Sequence, residues 1–127
     1  MENIQNKVAL IVDDDSRNIF ALRSYLEMHD LEVLIAENGE EAINLLRNIN
    51  SPDIILLDMM MPVMDGYETL AVLRTDAALK KIPVIAVTAK AMSGDREKCM
   101  EAGAWDYISK PVNIEQLLSL MRVWLYR

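Results

Sequence analysis

The chain has 127 residues, with 13 Lys or Arg against 20 Asp or Glu, and a net charge of −7. This length fits one domain of ordinary size, and the acidic surface disfavours binding to the phosphate backbones of DNA or RNA. A single cysteine cannot form an internal disulfide, and a single histidine excludes a multi-histidine metal site.

The amino terminus lacks the basic start and apolar run of a secretory signal, and no segment approaches the roughly 20 apolar residues of a membrane span. We therefore expect a cytoplasmic protein without membrane insertion. We also expect residues 1–127 to form a single domain, with residues 1–6 as a short leader.

Five short apolar runs alternate along the chain with segments of helical spacing. The runs are Val8–Val12, Val33–Ala36, Ile54–Leu57, Val84–Val87 and, more weakly, Trp105–Ile108. They are apolar at consecutive rather than alternate positions, which is typical of strands buried on both faces of a parallel sheet. The sequence therefore predicts an α/β domain in which a strand and a helix alternate five times, with helices on both faces of the sheet.

Helix starts are also readable. Asn38, Asp65 and Asn113 each precede Glu or Gln by three residues, a spacing compatible with reciprocal N-terminal capping. Ser93 is the predicted cap of the fourth helix, and Gly103 is its predicted stop.

Polar residues follow four of the strands. Asp13 and Asp14 come after the first strand, Asp58 ends the third, Thr88 ends the fourth, and Lys110 follows the fifth. In an open parallel sheet, ligands bind at the carboxyl ends of the strands. These side chains are therefore expected to meet in one cleft.

Three carboxylates in one cleft repel each other, and the single charge of Lys110 is not enough to balance them. A divalent cation with oxygen ligands, most suitably Mg²⁺, would complete the balance. Carboxylates, a cation, a lysine and the Thr88 hydroxyl are typical of phosphoryl-handling sites, with Asp58 as a nucleophile that forms an acyl phosphate.

Motifs spread along most of the chain resemble the receiver domains of two-component response regulators. The motifs are Val-Asp-Asp-Asp at 12–15, Leu-Leu-Asp-Met-Met-Met-Pro-Val-Met-Asp-Gly at 56–66, Val-Thr-Ala at 87–89 and Tyr-Ile-Ser-Lys-Pro at 107–111. The resemblance implies a flavodoxin-like (βα)5 three-layer sandwich whose five-stranded parallel sheet has the order 2-1-3-4-5.

The same resemblance implies roles for the acidic residues. Asp58 would be the phosphoacceptor. Asp14 would bind Mg²⁺ (or Mn²⁺) directly, Asp13 would act through water, and Met60 would contribute its main-chain carbonyl to the metal.

For the rest of the site, Lys110 would contact a phosphoryl oxygen, and the Lys110–Pro111 bond would be cis. Thr88 would donate its hydroxyl to the phosphoryl group, and Tyr107 would change rotamer in response. The phosphoryl donor would be a histidine kinase or a histidine phosphotransfer protein.

The resemblance also implies an output. A downstream protein would bind the face built by the fourth helix, the fifth strand and the fifth helix (the α4-β5-α5 face). Such a domain modifies itself and is a switch rather than an enzyme that turns over a metabolite.

The segments at 12–22 and 88–99, with the chain terminus, are most similar to the C-terminal receivers of hybrid sensor histidine kinases. One enzyme class remains as an alternative, a haloacid-dehalogenase-like phosphohydrolase using Asp13 as its nucleophile. Against it, Arg17 stands where that motif expects Thr or Val.

Several other side chains have two interpretations. Met59, Met60, Met61 and Met64 either fill gaps beside the acceptor or form an adaptable docking surface. Trp124, near the end of the last helix, either packs under the carboxyl terminus or contacts a partner. Cys99 is expected to pack against the core.

Overall fold

A computed structural model describes residues 6–48, 51–88 and 94–126 of the chain. The strands are β1 (Val8–Val12), β2 (Glu32–Ala36), β3 (Ile54–Asp58), β4 (Val84–Thr88) and β5 (Asp106–Ser109). The helices are α1 (Ser16–Met28), α2 (Gly39–Asn48), α3 (Gly66–Thr75), α4 (Asp95–Ala102) and α5 (Ile114–Leu125), with a 3-10 turn at Leu79–Lys81.

The strands form one parallel sheet in the order β2-β1-β3-β4-β5. This order, with helices on both faces, is the flavodoxin-like arrangement, so the predicted fold class is confirmed. Asp58 and Thr88 end β3 and β4, as expected, whereas β2 begins one residue earlier than its apolar run and β5 is shifted one residue toward the carboxyl terminus. The ladder pairs Asp58 with Val87 and Thr88 with Ser109, so the polar residues at the strand ends have paired backbone.

Two hydrophobic cores lie on opposite faces of the sheet, because successive strand residues point to opposite sides. One core joins the sheet to α1 and α5, and the other joins it to α2, α3 and α4. Ile54 and Leu56 belong to the first core, whereas Ile55 and Leu57 belong to the second. Burial on both faces explains why these runs are apolar at every position.

The helix starts largely follow the predicted caps. Asp65 and Glu68 form the reciprocal capping pair at α3. At α2 and α5, the amide oxygens of Asn38 and Asn113 accept from the backbone three residues on. Gly103, with φ of 118°, follows the end of α4. The predicted cap Ser93 lies outside the described residues.

The methionine loop after β3 divides by burial. Met59 and Met61 are buried in the core, which agrees with the interpretation that they fill gaps beside the acceptor. The Met60 side chain, by contrast, is 67% exposed. Cys99 is buried, as predicted. Cys99 is the one buried residue of α4.

The two tryptophans meet at the amino end of β5. Their rings pack edge to face, with centroids 5.5 Å apart and an interplanar angle of 87°. The Trp124 indole N–H also donates to an Asp106 carboxylate oxygen at 2.9 Å. Trp124 therefore packs onto β5. Within the described residues, no helix is long and apolar enough to cross a membrane.

Gly66 lets the start of α3 approach the end of β3. A Cβ at this position would lie 2.5 Å from the Met59 Cα and 2.8 Å from the Asp58 carbonyl oxygen. The Gly66→Ala variant is expected to unfold with a free energy about 1–3 kcal/mol lower than the wild type, because backbone atoms must move to make room. Urea denaturation measures this.

Ala71→Ser, on the exposed side of the same helix, is the control and should change stability by less than about 0.5 kcal/mol. A Gly66→Ala variant as stable as this control would contradict the close approach.

Candidate functional site

Three carboxylates gather where β1 and β3 end. One carboxylate oxygen each from Asp13, Asp14 and Asp58 lies within 4.8 Å of the others. Asp13 and Asp58 are only 2% and 3% exposed, while Asp14 is exposed. The cluster thus has two buried members and one that faces solvent.

Lys110 reaches both buried carboxylates. Its Nζ lies 3.4 Å from the Asp13 Oδ2 and 3.5 Å from the Asp58 Oδ2. The Lys110 backbone N–H donates to the Thr88 carbonyl at 2.7 Å, which ties the residue to the end of β4. The Lys110–Pro111 bond is cis.

These contacts act on the acid–base properties of the cluster. Burial raises the pKa of Asp58 from 3.8 to about 6; the Met60 backbone N–H lowers it in part, while nearby Asp13 adds to the rise and Lys110 opposes it. Burial alone would lower the pKa of Lys110, but the Asp13 and Asp58 carboxylates outweigh it, and the pKa is raised. Lys110 therefore stays charged.

The donor set fits a hard divalent cation. Three carboxylates face one ammonium group, so the cluster keeps an excess of negative charge, and every candidate ligand atom is an oxygen. Mg²⁺ prefers oxygen ligands and is commonly held by one or two carboxylates with retained waters. The exposed position of Asp14 leaves one side of the cluster open to solvent.

Thr88 and Tyr107 lie on the neighbouring strands β4 and β5. Thr88 ends β4 next to Val87, the partner of Asp58, and is 7% exposed. Tyr107 pairs with Ala86 on β4. Because side chains alternate along a strand, Thr88 shares a sheet face with Ala86 and hence with Tyr107, which packs against the core on the α4 side.

Asn18 is a site residue that the sequence reasoning missed. Its side-chain amide donates to the Asp13 Oδ2. Asp15 caps α1 by accepting from the Arg17 N–H, which places Asn18 three residues after the cap. Side chains at that position reach back toward the cap in capping boxes, and this was the available signal.

Comparisons with known proteins identify the family of the chain. The fold is a flavodoxin-like α/β sandwich with an acidic cluster at the carboxyl edge of its sheet. Residues 9–122 match the model of the response regulator receiver domain family. The chain belongs to the response regulator receiver domain family.

Among relatives, the polar-differentiation response regulator DivK of Brucella anthropi is 38% identical over 119 residues, covering 94% of this chain and 96% of DivK. Ycf29 of Pyropia yezoensis is 44% identical over 112 residues, covering 88% of this chain but only 50% of ycf29. This chain therefore spans nearly all of one relative and half of the other.

A solved structure is also similar. The receiver domain of the sensor histidine kinase PA1611 from Pseudomonas aeruginosa, with a magnesium ion coordinated in its active site cleft, has a TM-score of 0.88 and 30% identity. The match covers 96% of this chain and 99% of that one. Since the relatives include both DivK and a kinase receiver, an origin in a hybrid kinase stays a prediction. The haloacid-dehalogenase-like alternative is not favoured.

The raised pKa of Asp58 predicts how stability depends on pH. Between pH 3.8 and about 6, the folded protein binds more protons at Asp58 than the unfolded chain does, so stability falls as pH rises through this window. Without divalent cations, Asp58→Asn is expected to gain about 1–3 kcal/mol of unfolding free energy at neutral pH, because the buried charge is removed.

Urea unfolding in a chelator, at neutral pH and again below pH 3.8, measures the gain. It should shrink at the lower pH, where the wild-type carboxyl is protonated in the folded and mostly in the unfolded state. An equal gain at both pH values would show that ionisation of Asp58 is not its cause.

Proposed function

We propose that this receiver domain accepts a phosphoryl group from a phosphohistidine onto Asp58, with Mg²⁺, and that the modification switches a protein-binding surface. The proposal is carried by one observation, the nearly buried Asp58 carboxylate that contacts the Lys110 ammonium and lies within 4.8 Å of the other two carboxylates. As a switch, the domain would catalyse only its own phosphorylation and dephosphorylation.

In the chemical step, a carboxylate oxygen of Asp58 attacks phosphorus and forms an acyl phosphate bond. The phosphorus–nitrogen bond of the donor breaks, and its electron pair returns to the imidazole ring, which takes a proton from solvent. Attack needs the ionised carboxylate, and a pKa of about 6 leaves Asp58 mostly ionised at neutral pH. The Met60 N–H, 3.0 Å from the Asp58 Oδ1, orients that carboxylate.

Lys110 and the acidic pair share the electrostatic task. The Lys110 ammonium lies 3.5 Å from the Asp58 Oδ2, and it would contact an oxygen of a phosphoryl group attached to that carboxylate. Asp14, Asp13, Asp58 and the Met60 carbonyl would hold the cation. When bound, Mg²⁺ supplies positive charge against the oxygens of the transferred group.

The switch would run through Thr88 and Tyr107. The Thr88 hydroxyl would donate to the new phosphoryl oxygens, and Tyr107 would change rotamer on the same sheet face. Support comes from the shared face of the two residues and from the backbone bond between Lys110 and Thr88. A downstream protein would then bind the α4-β5-α5 face.

The donor would approach the open side of the site. A mainly apolar groove between α1 and the start of α5 runs up to Lys110, with Ala21, Tyr25, Pro111 and Val112 among its lining residues. A helix of a histidine kinase or of a histidine phosphotransfer protein would bind in this groove, with its phosphohistidine facing Asp58. We expect this to take place in the cytoplasm.

Phosphotransfer tests the acceptor. Wild-type protein incubated with Mg²⁺ and a small acyl phosphate, or with a phosphorylated histidine phosphotransfer protein, should gain one acid-labile phosphoryl group by mass spectrometry. Asp58→Asn should gain none because it lacks the nucleophile, and Lys110→Ala should gain it at least tenfold more slowly, in line with lost electrostatic stabilisation (~10²-fold per group).

Asp53→Asn is the control, since the Asp53 side chain accepts from the Val8 N–H at the opposite end of the sheet. It should be labelled like the wild type. Labelling that persists in Asp58→Asn would overturn the acceptor assignment.

Cation titration tests the metal ligands without any phosphoryl donor. Calorimetry should show Mg²⁺ binding to the wild type, and Asp14→Ala should weaken it by about tenfold or more, because a direct carboxylate ligand is lost. Asp15→Asn is the matched control, since Asn caps a helix as well as Asp does. Equal losses in the two variants would argue against a specific role for Asp14.

A further inference from the structure

The Asp13 carboxylate is held by three donors. Its Oδ1 accepts from the Asp15 backbone N–H at 2.9 Å. Its Oδ2 accepts from the Asn18 amide and also faces the Lys110 ammonium at 3.4 Å. A carboxylate that is 2% exposed and contacted in this way has a fixed orientation.

The position of Asn18 follows from how α1 begins. The Asp15 side chain accepts from the Arg17 N–H, and the Ile19 N–H donates to the Asp15 carbonyl, so the first turn of the helix is closed. Since the Asp15 side chain does the capping, the amide of Asn18 is not needed for it. That amide points instead across the loop to Asp13.

Asn18 and Lys110 therefore share one oxygen of Asp13, while Lys110 also contacts Asp58. A neutral donor on the Asp13 Oδ2 satisfies part of the hydrogen-bonding capacity of this oxygen without adding charge. If the Asn18 amide were removed, Lys110 would be the remaining side-chain donor to this oxygen among the described residues. The ammonium would then be drawn toward Asp13 and away from Asp58.

We propose that Asn18 is a positioning residue of the phosphoryl site. Its amide fixes the orientation of the Asp13 carboxylate. Through Asp13, it sets the affinity of the acidic cluster for a divalent cation. It also determines how closely the Lys110 ammonium contacts Asp58 rather than Asp13. The part that concerns Lys110 and phosphoryl transfer rests on the proposed function, whereas the part that concerns the cation does not require a phosphoryl donor.

The test replaces Asn18 with an apolar residue of similar size. In Asn18→Leu, calorimetric titration with Mg²⁺ alone should give a dissociation constant about tenfold higher than in the wild type, the usual effect of losing a residue that orients a metal ligand. The carboxyl carbon resonance of Asp13 should also shift in the absence of Mg²⁺, because its hydrogen-bond donor has gone.

Asn48→Leu is the matched control. The Asn48 side-chain amide also donates to an oxygen, the Asn44 carbonyl, on the exposed side of α2. This variant should bind Mg²⁺ like the wild type and leave the Asp13 resonance in place. Thermal unfolding of both variants allows every titration to be run well below their melting temperatures.

Wild-type Mg²⁺ affinity in Asn18→Leu, together with an unmoved Asp13 resonance, would overturn the positioning role and leave the phosphoacceptor assignment untouched. If the wild-type protein accepted no phosphoryl group, the proposed function would be wrong. The Mg²⁺ titrations would still test the role of Asn18, because they need no phosphoryl donor. With Mg²⁺ saturating, Asn18→Leu should still be labelled more slowly than Asn48→Leu, because Lys110 is displaced from Asp58.

Discussion

The carboxylates of Asp13 and Asp58 lie at the ends of the neighbouring strands β1 and β3, nearly removed from solvent, with one ammonium group between them. Burial and like charge both disfavour ionising Asp58, and Lys110 offsets this only in part. The site is therefore electrostatically unfavourable when empty of cation. Such a cluster persists because the surrounding fold is stable enough to hold it.

That stability comes from the sheet. Each central strand contributes to both cores, so its position is fixed from two sides. The same strands end in the polar residues of the site, and Gly66 brings the start of α3 onto the end of β3. A change in charge at Asp58 thus acts on backbone that is packed on both faces. The Met60 side chain beside Asp58, by contrast, is exposed to solvent.

Much of this arrangement follows from the sequence. The apolar runs predicted the five strands, because a strand buried on both faces must be apolar at consecutive positions. The polar residues that follow these runs predicted the cluster, because the carboxyl ends of parallel strands meet at one edge of the sheet. The strand order came from the family resemblance, since apolar runs carry no information about which strands are neighbours. Asn18 was missed because its role depends on the direction of a helix turn. The division of the methionines was missed because Met59 and Met60 look alike in sequence and differ only in the path of the loop.

The two tryptophans of the chain pack edge to face at the amino end of β5, at the end of the sheet opposite the carboxylates. The tryptophan emission of the protein therefore arises from one location, shared by β5 and α5. A cation or phosphoryl group at Asp58 is too remote to quench it by contact. A change in this fluorescence would instead report that an event at the carboxyl edge has altered the packing between β5 and α5.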